Sequence, residues 1–220
     1  DGGLFHGANV TPYNKYLRST LVLSNTATAL PMPMILCDYL MYYPFIDEGS
    51  TDEQFLTNSV TIPRYTDGAG VQVMAISVAS RTGGQSFFIN YTNSAGVSGR
   101  ISSTVIQNTA VSNGSIVTSQ NTNARAAGPF IPLQSGDTGV RSIESVTMLG
   151  TDVGLFTLVL VKPLSQTVLV GIDAPVEKDY LIDNALLPQI KDDAYLNFIC
   201  LPQGSLGATP IHGTIKVNFN

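Results

Sequence analysis

From residue 71 onward the chain alternates between apolar and polar positions. The stretches VQVMAISVAS (71–80), QSFFINYTN (85–93), VSGRISSTVIQ (97–107), SIVTSQ (115–120), GVRSIESVTML (139–149), GLFTLVLVKPL (154–164) and GTIKVNFN (213–220) all have strand length. They are rich in Val, Ile, Thr and Phe, whose branched or aromatic side chains suit a pleated surface, and Gly, Asn and Asp bound them. In the last stretch Ile215, Val217 and Phe219 share one face while Lys216 and Asn218 share the other. Asn93, Ser94, Ala95 and Gly96 supply the turn of a hairpin in NYTNSAGVSGR (90–100). Turns recur roughly every ten residues, the rhythm of a β-sandwich or jelly roll. The predicted class is therefore all-β.

Two regions depart from the alternation. LPMPMILCDYLMYYP (30–44) carries prolines suited to a first helical turn, and Ile35, Leu36, Leu40 and Tyr43 follow a helical spacing before Pro44. This predicts one short helix near residues 31–43, its Met and aromatic stripe facing the core. Residues 1–29 show no long period, apart from Leu21, Val22 and Leu23, which have the character of a short strand. They read as an extended N-terminal arm. Phe5, Tyr13, Tyr16 and Leu17 recur along it and want a surface to lie on, with Arg18 as an ion-pair donor. Beyond residue 165 the pattern is irregular, with one strand expected near residues 195–201. No boundary stands out there, so residues 30–220 are expected to form a single β-rich domain.

Composition narrows the functional classes. Charged residues make up 12% of the chain, against about 25% in an ordinary soluble domain. The surface is thus built largely from neutral polar groups, which suits a subunit packed against neighbours. The formal net charge is −5, and the 11 Lys and Arg residues are scattered singly. No basic run neutralises a row of phosphates, so neither nucleic acid nor an anionic membrane is an expected partner. No apolar stretch reaches the ~20 residues of a membrane-spanning helix, and none reads as a secretory signal. Cys37 and Cys200 are too few for a disulfide framework and read as buried free thiols. The glycosylation triplets at Asn90 and Asn113 carry no weight without a signal.

Candidate chemistry centres on Asp137-Thr138-Gly139, the tripeptide that carries the carboxylate of aspartic proteases. Such enzymes need two carboxylates sharing a proton. Here Ser135 and Gly136 replace the apolar residues expected before the Asp, Val140 replaces the Ser or Thr expected after the Gly, and no second copy occurs. A Gly-Asp turn explains the tripeptide better. Asp47, Glu48, Asp52 and Glu53 cluster in IDEGSTDEQ (46–54) but lack the spacing of a calcium loop. Thr51 and Gln54 there read as a capping box in a solvated turn. His6 and His212 stand at opposite ends of the chain without metal-ligand neighbours. No nucleophile elbow or P-loop occurs: GVSGR, GAGVQ and TGGQ lack the defining residues. The expectation is a non-enzyme with no catalytic residues, no metal site and no cofactor.

Three longer stretches are more specific: PRYTDG (63–68), NYTNSAGVSGR (90–100) and FIPLQSGDTGVRS (130–142). In that order, within residues 42–165, they resemble capsid cement or decoration proteins of tailed bacteriophages, virion structural proteins encoded near the major capsid protein. The resemblance implies a protein made in the bacterial cytoplasm that binds the outer surface of the icosahedral head and stabilises contacts between capsomers. It implies the major capsid protein as partner and a homo-oligomer, a trimer ahead of a dimer. The arm residues Phe5, Tyr13, Tyr16, Leu17 and Arg18 are the expected partner contacts. The alternative is another virion module: a head-fibre base, a tail protein or a receptor-binding protein.

Overall fold

The structure, a computed structural model, describes residues 3–56, 61–108, 113–121, 128–183, 186–204 and 210–220. Its strands in chain order are β1 (Lys15–Ser24), β2 (Met32–Tyr42), β3 (Ile46–Asp47), β4 (Gln54–Phe55), β5 (Gln72–Ser77), β6 (Ser86–Asn93), β7 (Arg100–Ile101) and β8 (Val105–Gln107). They continue as β9 (Thr118–Asn121), β10 (Val140–Met148), β11 (Leu155–Leu169), β12 (Val176–Asp179), β13 (Gln189–Ile190), β14 (Leu196–Cys200) and β15 (Ile211–Phe219). One short helix, α1 (Tyr180–Asp183), follows β12. The fold is all-β, built from several antiparallel sheets.

The chain forms two compact units, Asp1–Tyr39 with Pro163–Asn220, and Leu40–Lys162. It passes from the first to the second within β2 and returns within β11. This division differs from the expected one at residue 29.

In the first unit β1 is central. It pairs antiparallel with β12 and β13 on one side and with the whole of β15 on the other. Residues 15–24 are therefore not an arm but the strand around which a sheet is built. Two features hid it in the sequence. Its buried positions include Lys15, Ser19, Thr20 and Ser24, so the inward face is not apolar. An irregularity between Leu17 and Ser19 also shifts the register against β15, breaking the alternation in mid-strand. Polar groups on that face are matched: Thr20 and Ser165 both bond to the hydroxyl of Tyr180. Asp179 caps α1 by accepting the amides of Leu181 and Ile182 at 3.0 and 3.3 Å, and pairs with Arg18.

The expected helix near residues 31–43 is also overturned. Residues 32–42 form β2, whose Met34–Asp38 portion pairs with β14. Met34, Ile35, Leu36, Cys37 and Asp38 are consecutively buried, so this strand is covered on both faces. A continuous apolar run does not distinguish a strand from a buried helix by period. Two capping signals are missing: Leu30, immediately before Pro31, has no side-chain oxygen to cap a helix, and no Gly directly follows Pro44.

The second unit holds the larger core. β6 pairs with β10, β7 and β8, while β11 pairs with β5 and β3. Phe87, Ile89 and Tyr91 point inward from β6 at strict period two, and the Phe87 and Phe156 rings lie 5.0 Å apart. Tyr43 is buried at the end of β2's run. Its hydroxyl accepts the amide of Ile143 at 2.8 Å, and its carbonyl accepts the Thr157 hydroxyl at 2.6 Å.

One charged pair lies inside this unit. The Arg81 and Glu48 side chains are both 0% exposed. Arg81 Nε and Nη2 donate to the two carboxylate oxygens at 2.9 and 3.3 Å, and Nη1 donates to the carbonyl and side-chain oxygens of Asn108 at 2.7 and 3.2 Å. Gly154 makes room: its φ is +144°, and a Cβ there would lie 2.5 Å from Arg81 Cβ. Removing one partner leaves an uncompensated buried charge. Glu48→Ala is expected to cost about 3–5 kcal/mol in urea unfolding. Replacing both residues, as Glu48→Leu with Arg81→Met, is expected to recover most of that loss. A Glu48→Ala loss below about 1 kcal/mol, the range of exposed pairs, would contradict the buried geometry.

Candidate functional site

The three distinctive stretches of the sequence meet in the second unit. The turn at residues 134–137, closed by the Asp137 amide donating to the Gln134 carbonyl at 3.0 Å and opened by Gly136 at φ +90°, presents the Asp137 carboxylate inward. The alternation of β6 places Tyr91 and Asn93 on the inward face beyond Ile89. β7 places Arg100 opposite Tyr91 in register. Four donors converge on Asp137. The Tyr91 hydroxyl donates at 2.6 Å, Asn93 Nδ2 at 2.7 Å, and Arg100 Nε and Nη2 at 3.0 and 3.3 Å in a fork.

The surrounding backbone is bound into the same knot. Tyr91 Oη accepts the Gln134 amide at 2.9 Å while it donates to Asp137. Asn93 closes the 93–97 turn, its Oδ1 accepting the Val97 amide at 2.9 Å. Arg141 Nε donates to the carbonyls of Asp67 and Ser94 at 3.0 and 3.1 Å, and its Nη2 adds a bond to Ser94 at 2.8 Å. The Gly70 amide donates to the Thr138 carbonyl at 3.1 Å, and the Ser94 amide to the Gly139 carbonyl at 2.9 Å. Gly139 is required here: a Cβ on it would lie 2.0 Å from the Gly68 carbonyl oxygen. The Gly of the protease-like tripeptide thus serves the close passage of two loops. Lys162 Nζ donates to the Ala69 carbonyl at 2.7 Å and stands over the Tyr65 ring.

The electrostatics follow from the geometry. The fork of Arg100, then the Tyr91 hydroxyl, holds the Asp137 carboxyl down at about 2. Burial, reinforced by the bond to Asp137, pushes the Tyr91 hydroxyl up to about 12. Asp137 is thus a carboxylate with its acceptor positions occupied by protein donors, and its side chain is only 5% exposed. A proton-sharing pair needs a second carboxylate in contact with it, whereas Asp137 bonds to a phenol, an amide and a guanidinium. The arrangement is suited to fixing loops.

The other sequence candidates separate widely. The capping box expected at Thr51 and Gln54 does not form, since Gln54 and Phe55 belong to strand β4. Gln54 instead clamps the backbone of Asp47, accepting its amide and donating to its carbonyl, both at 2.8 Å. Glu48 of the same acidic stretch is buried on Arg81, and Glu53 accepts the Ser145 hydroxyl at 2.5 Å. No group of three metal-ligating side chains occurs among the described residues. Cys37 and Cys200 are free thiols, the first buried and pushed up to about 12, the second half-buried.

The expected partner contacts divide. Phe5 and Tyr13 are 87% and 65% exposed, whereas Leu17 is fully buried in a core with Leu36, Tyr180 and Leu196, and Arg18 is paired with Asp179. Tyr16 is half-buried, in register with Asn218 of β15. Residues 4–11 are themselves tied to the first unit. Leu4 bridges Leu196, His6 Nε2 contacts the Ala194 carbonyl at 2.8 Å, Lys15 Nζ meets His6 Nδ1 at 3.0 Å, and Asp192 accepts the amides of Val10 and Thr11.

Tyr91, Asn93 and Arg100 belong to the site but escaped the sequence reading as partners of Asp137. Period two along β6 was the available signal for Tyr91 and Asn93. Arg100 is 37 positions from Asp137 and has no local signal. Comparison with protein families, with curated proteins and with solved structures gives no match.

The Asp137 carboxyl lies below its ordinary value of 3.8 in the folded chain. It therefore contributes stability above that value, lost as pH falls through about 2. Thermal unfolding followed from pH 6 downward is expected to show a fall in melting temperature beginning near the ordinary carboxyl range. In Asp137→Asn that component is expected to vanish, with a lower melting temperature at pH 6. Parallel pH profiles for the two proteins would contradict the assignment.

Proposed function

We propose that this chain is a capsid cement protein of a tailed bacteriophage, bound to the outer surface of the head through the major capsid protein. The observation that carries the reading is how the protein uses its most distinctive residues. The three stretches that resemble such proteins meet near Asp137: side chains of the second leave its carboxylate no free acceptor, and Arg141 of the third holds the Asp67 carbonyl of the first. A protein that invests its specific residues in loop shape is built to present a surface. The low charge content and the exposed Phe5 and Tyr13 support the same reading. Within it, the sheets are arranged as a β-sandwich or jelly roll, and a homo-oligomer multiplies modest contacts by symmetry into firm attachment.

Deleting residues 1–29 is not a usable test, because it removes β1 and with it the first unit's sheet. Phe5→Ala with Tyr13→Ala leaves β1 intact and removes the two exposed rings. Purified chain added to heads lacking it is expected to co-sediment at a fixed stoichiometry and to appear in the reconstructed outer shell. The double variant is expected to bind at least about tenfold more weakly, a loss of about 1.4 kcal/mol. Absence of the wild-type chain from the shell, with density on a tail or fibre, would replace the cement role by one of those. Full occupancy by the double variant would remove Phe5 and Tyr13 from the interface.

A further inference from the structure

The first unit ends in β15, nine residues paired along one side with β1. Among the described residues no strand pairs with its other side. An edge of this length exposes a row of unsatisfied N–H and C=O groups, and proteins ordinarily blunt such edges with charge, proline or a bulge. β15 has no proline and a single charged residue, Lys216, whose exposed pair with Glu177 at 3.0 Å leaves its charge open to neighbours. Beside it lies a groove of about 550 Å³ lined by Leu21, Val22, Met34, Phe198, Ile211 and Ile215. Phe219 at the strand's end is 66% exposed.

We propose that β15 is a self-association edge, pairing antiparallel with β15 of a second copy about a two-fold axis at Ile215. The sequence of the strand selects both the occupant and the register. Pairing end to end sets Ile211 opposite Phe219 of the second copy, Gly213 opposite Val217, and Ile215 opposite Ile215. Residues directly opposite share a face. The exposed Phe219 ring is thereby laid beside Ile211 at the groove, and Gly213, which has no side chain, leaves room for Val217.

On the other face Thr214 stands opposite Lys216 and His212 opposite Asn218, so no like charges are juxtaposed. Sliding the axis to residue 216 sets Lys216 against Lys216, which repels. Sliding it to residue 214 leaves Phe219 beyond the end of the partner strand. The end-to-end register alone pairs all nine residues and avoids the charge clash. A two-fold pairing of one edge with itself is closed, so it gives a dimer and no fibre. This inference rests on β15, although Phe5, a capsid contact in the proposed function, also lines the groove.

Thr214 is exposed and faces Lys216 of the second copy, so its substitution tests the register directly. Sedimentation equilibrium of the full chain is expected to show a monomer–dimer equilibrium. Thr214→Lys is expected to weaken it by about tenfold or more, and Thr214→Glu to tighten it by pairing with Lys216. Thr214 also shares a face with Lys216 of its own chain, so the melting temperature of each dilute monomer is measured as well; it is expected to change little while dimerisation shifts in opposite directions. A chain that stays monomeric at all concentrations, a larger closed oligomer, or a dimer indifferent to both substitutions would overturn the proposal.

Discussion

The second unit depends on one carboxylate. Asp137 sits where the 134–137 turn meets the distant β6–β7 segment, and it satisfies a phenol, an amide and a guanidinium at once. Burying a charge in such a place is costly unless every lone pair finds a donor. The fork of Arg100 neutralises the charge, and Tyr91 and Asn93 fill the remaining acceptor positions. Arg141 adds a second staple between the 67 and 94 carbonyls, and Gly139 allows the chain at Gly68 to pass close by. Loop shape at this end of the unit is thereby set by side chains, with the sheet ladder of β6 and β10 leading into it.

The same logic, polar groups satisfied inside a β fold, appears elsewhere. Arg81 and Glu48 neutralise each other in the core. In the first unit the inward face of β1 carries Lys15, Ser19, Thr20 and Ser24, with Tyr180 bonded to Thr20 and His6 to Lys15. A chain poor in charge thus places several of its charges and hydroxyls inside. The exposed side chains include aromatic rings such as Phe5 and Tyr13 and aliphatic ones such as Ile182 and Leu186.

Strands were legible where one face is apolar and the other polar. β5, β6, β10 and β15 lie close to where alternation puts them, and the 93–96 turn is closed as its residues suggest. Legibility failed where burial removed the contrast. β2 is covered on both faces, so its period was indistinct and its prolines suggested a helix. β1 has a polar inward face and a register shift after Leu17, so most of it looked like an extended arm. Leu17 and Arg18 were accordingly assigned to a partner when their own unit uses them. At the site, the wrong flanks of Asp137 were enough to argue a turn. Period two marked Tyr91 and Asn93 as inward but did not join them to Asp137 across 46 and 44 positions, and Arg100, 37 positions away, had no local signal.

That three sequence stretches form one mechanical unit around Asp137 has a direct test in backbone hydrogen exchange. The amides of Gly70, Ser94, Val97 and Ile101 each bond into the knot, to the Thr138 carbonyl, the Gly139 carbonyl, Asn93 Oδ1 and Gln134 Oε1. The Val117 amide, bound to the Ala75 carbonyl, lies outside it. In Asp137→Ala at neutral pH the four amides are expected to lose protection together, by a similar factor, while Val117 keeps its own. Unchanged protection, or loss confined to the residues next to Asp137 in the chain, would contradict a single cooperative knot.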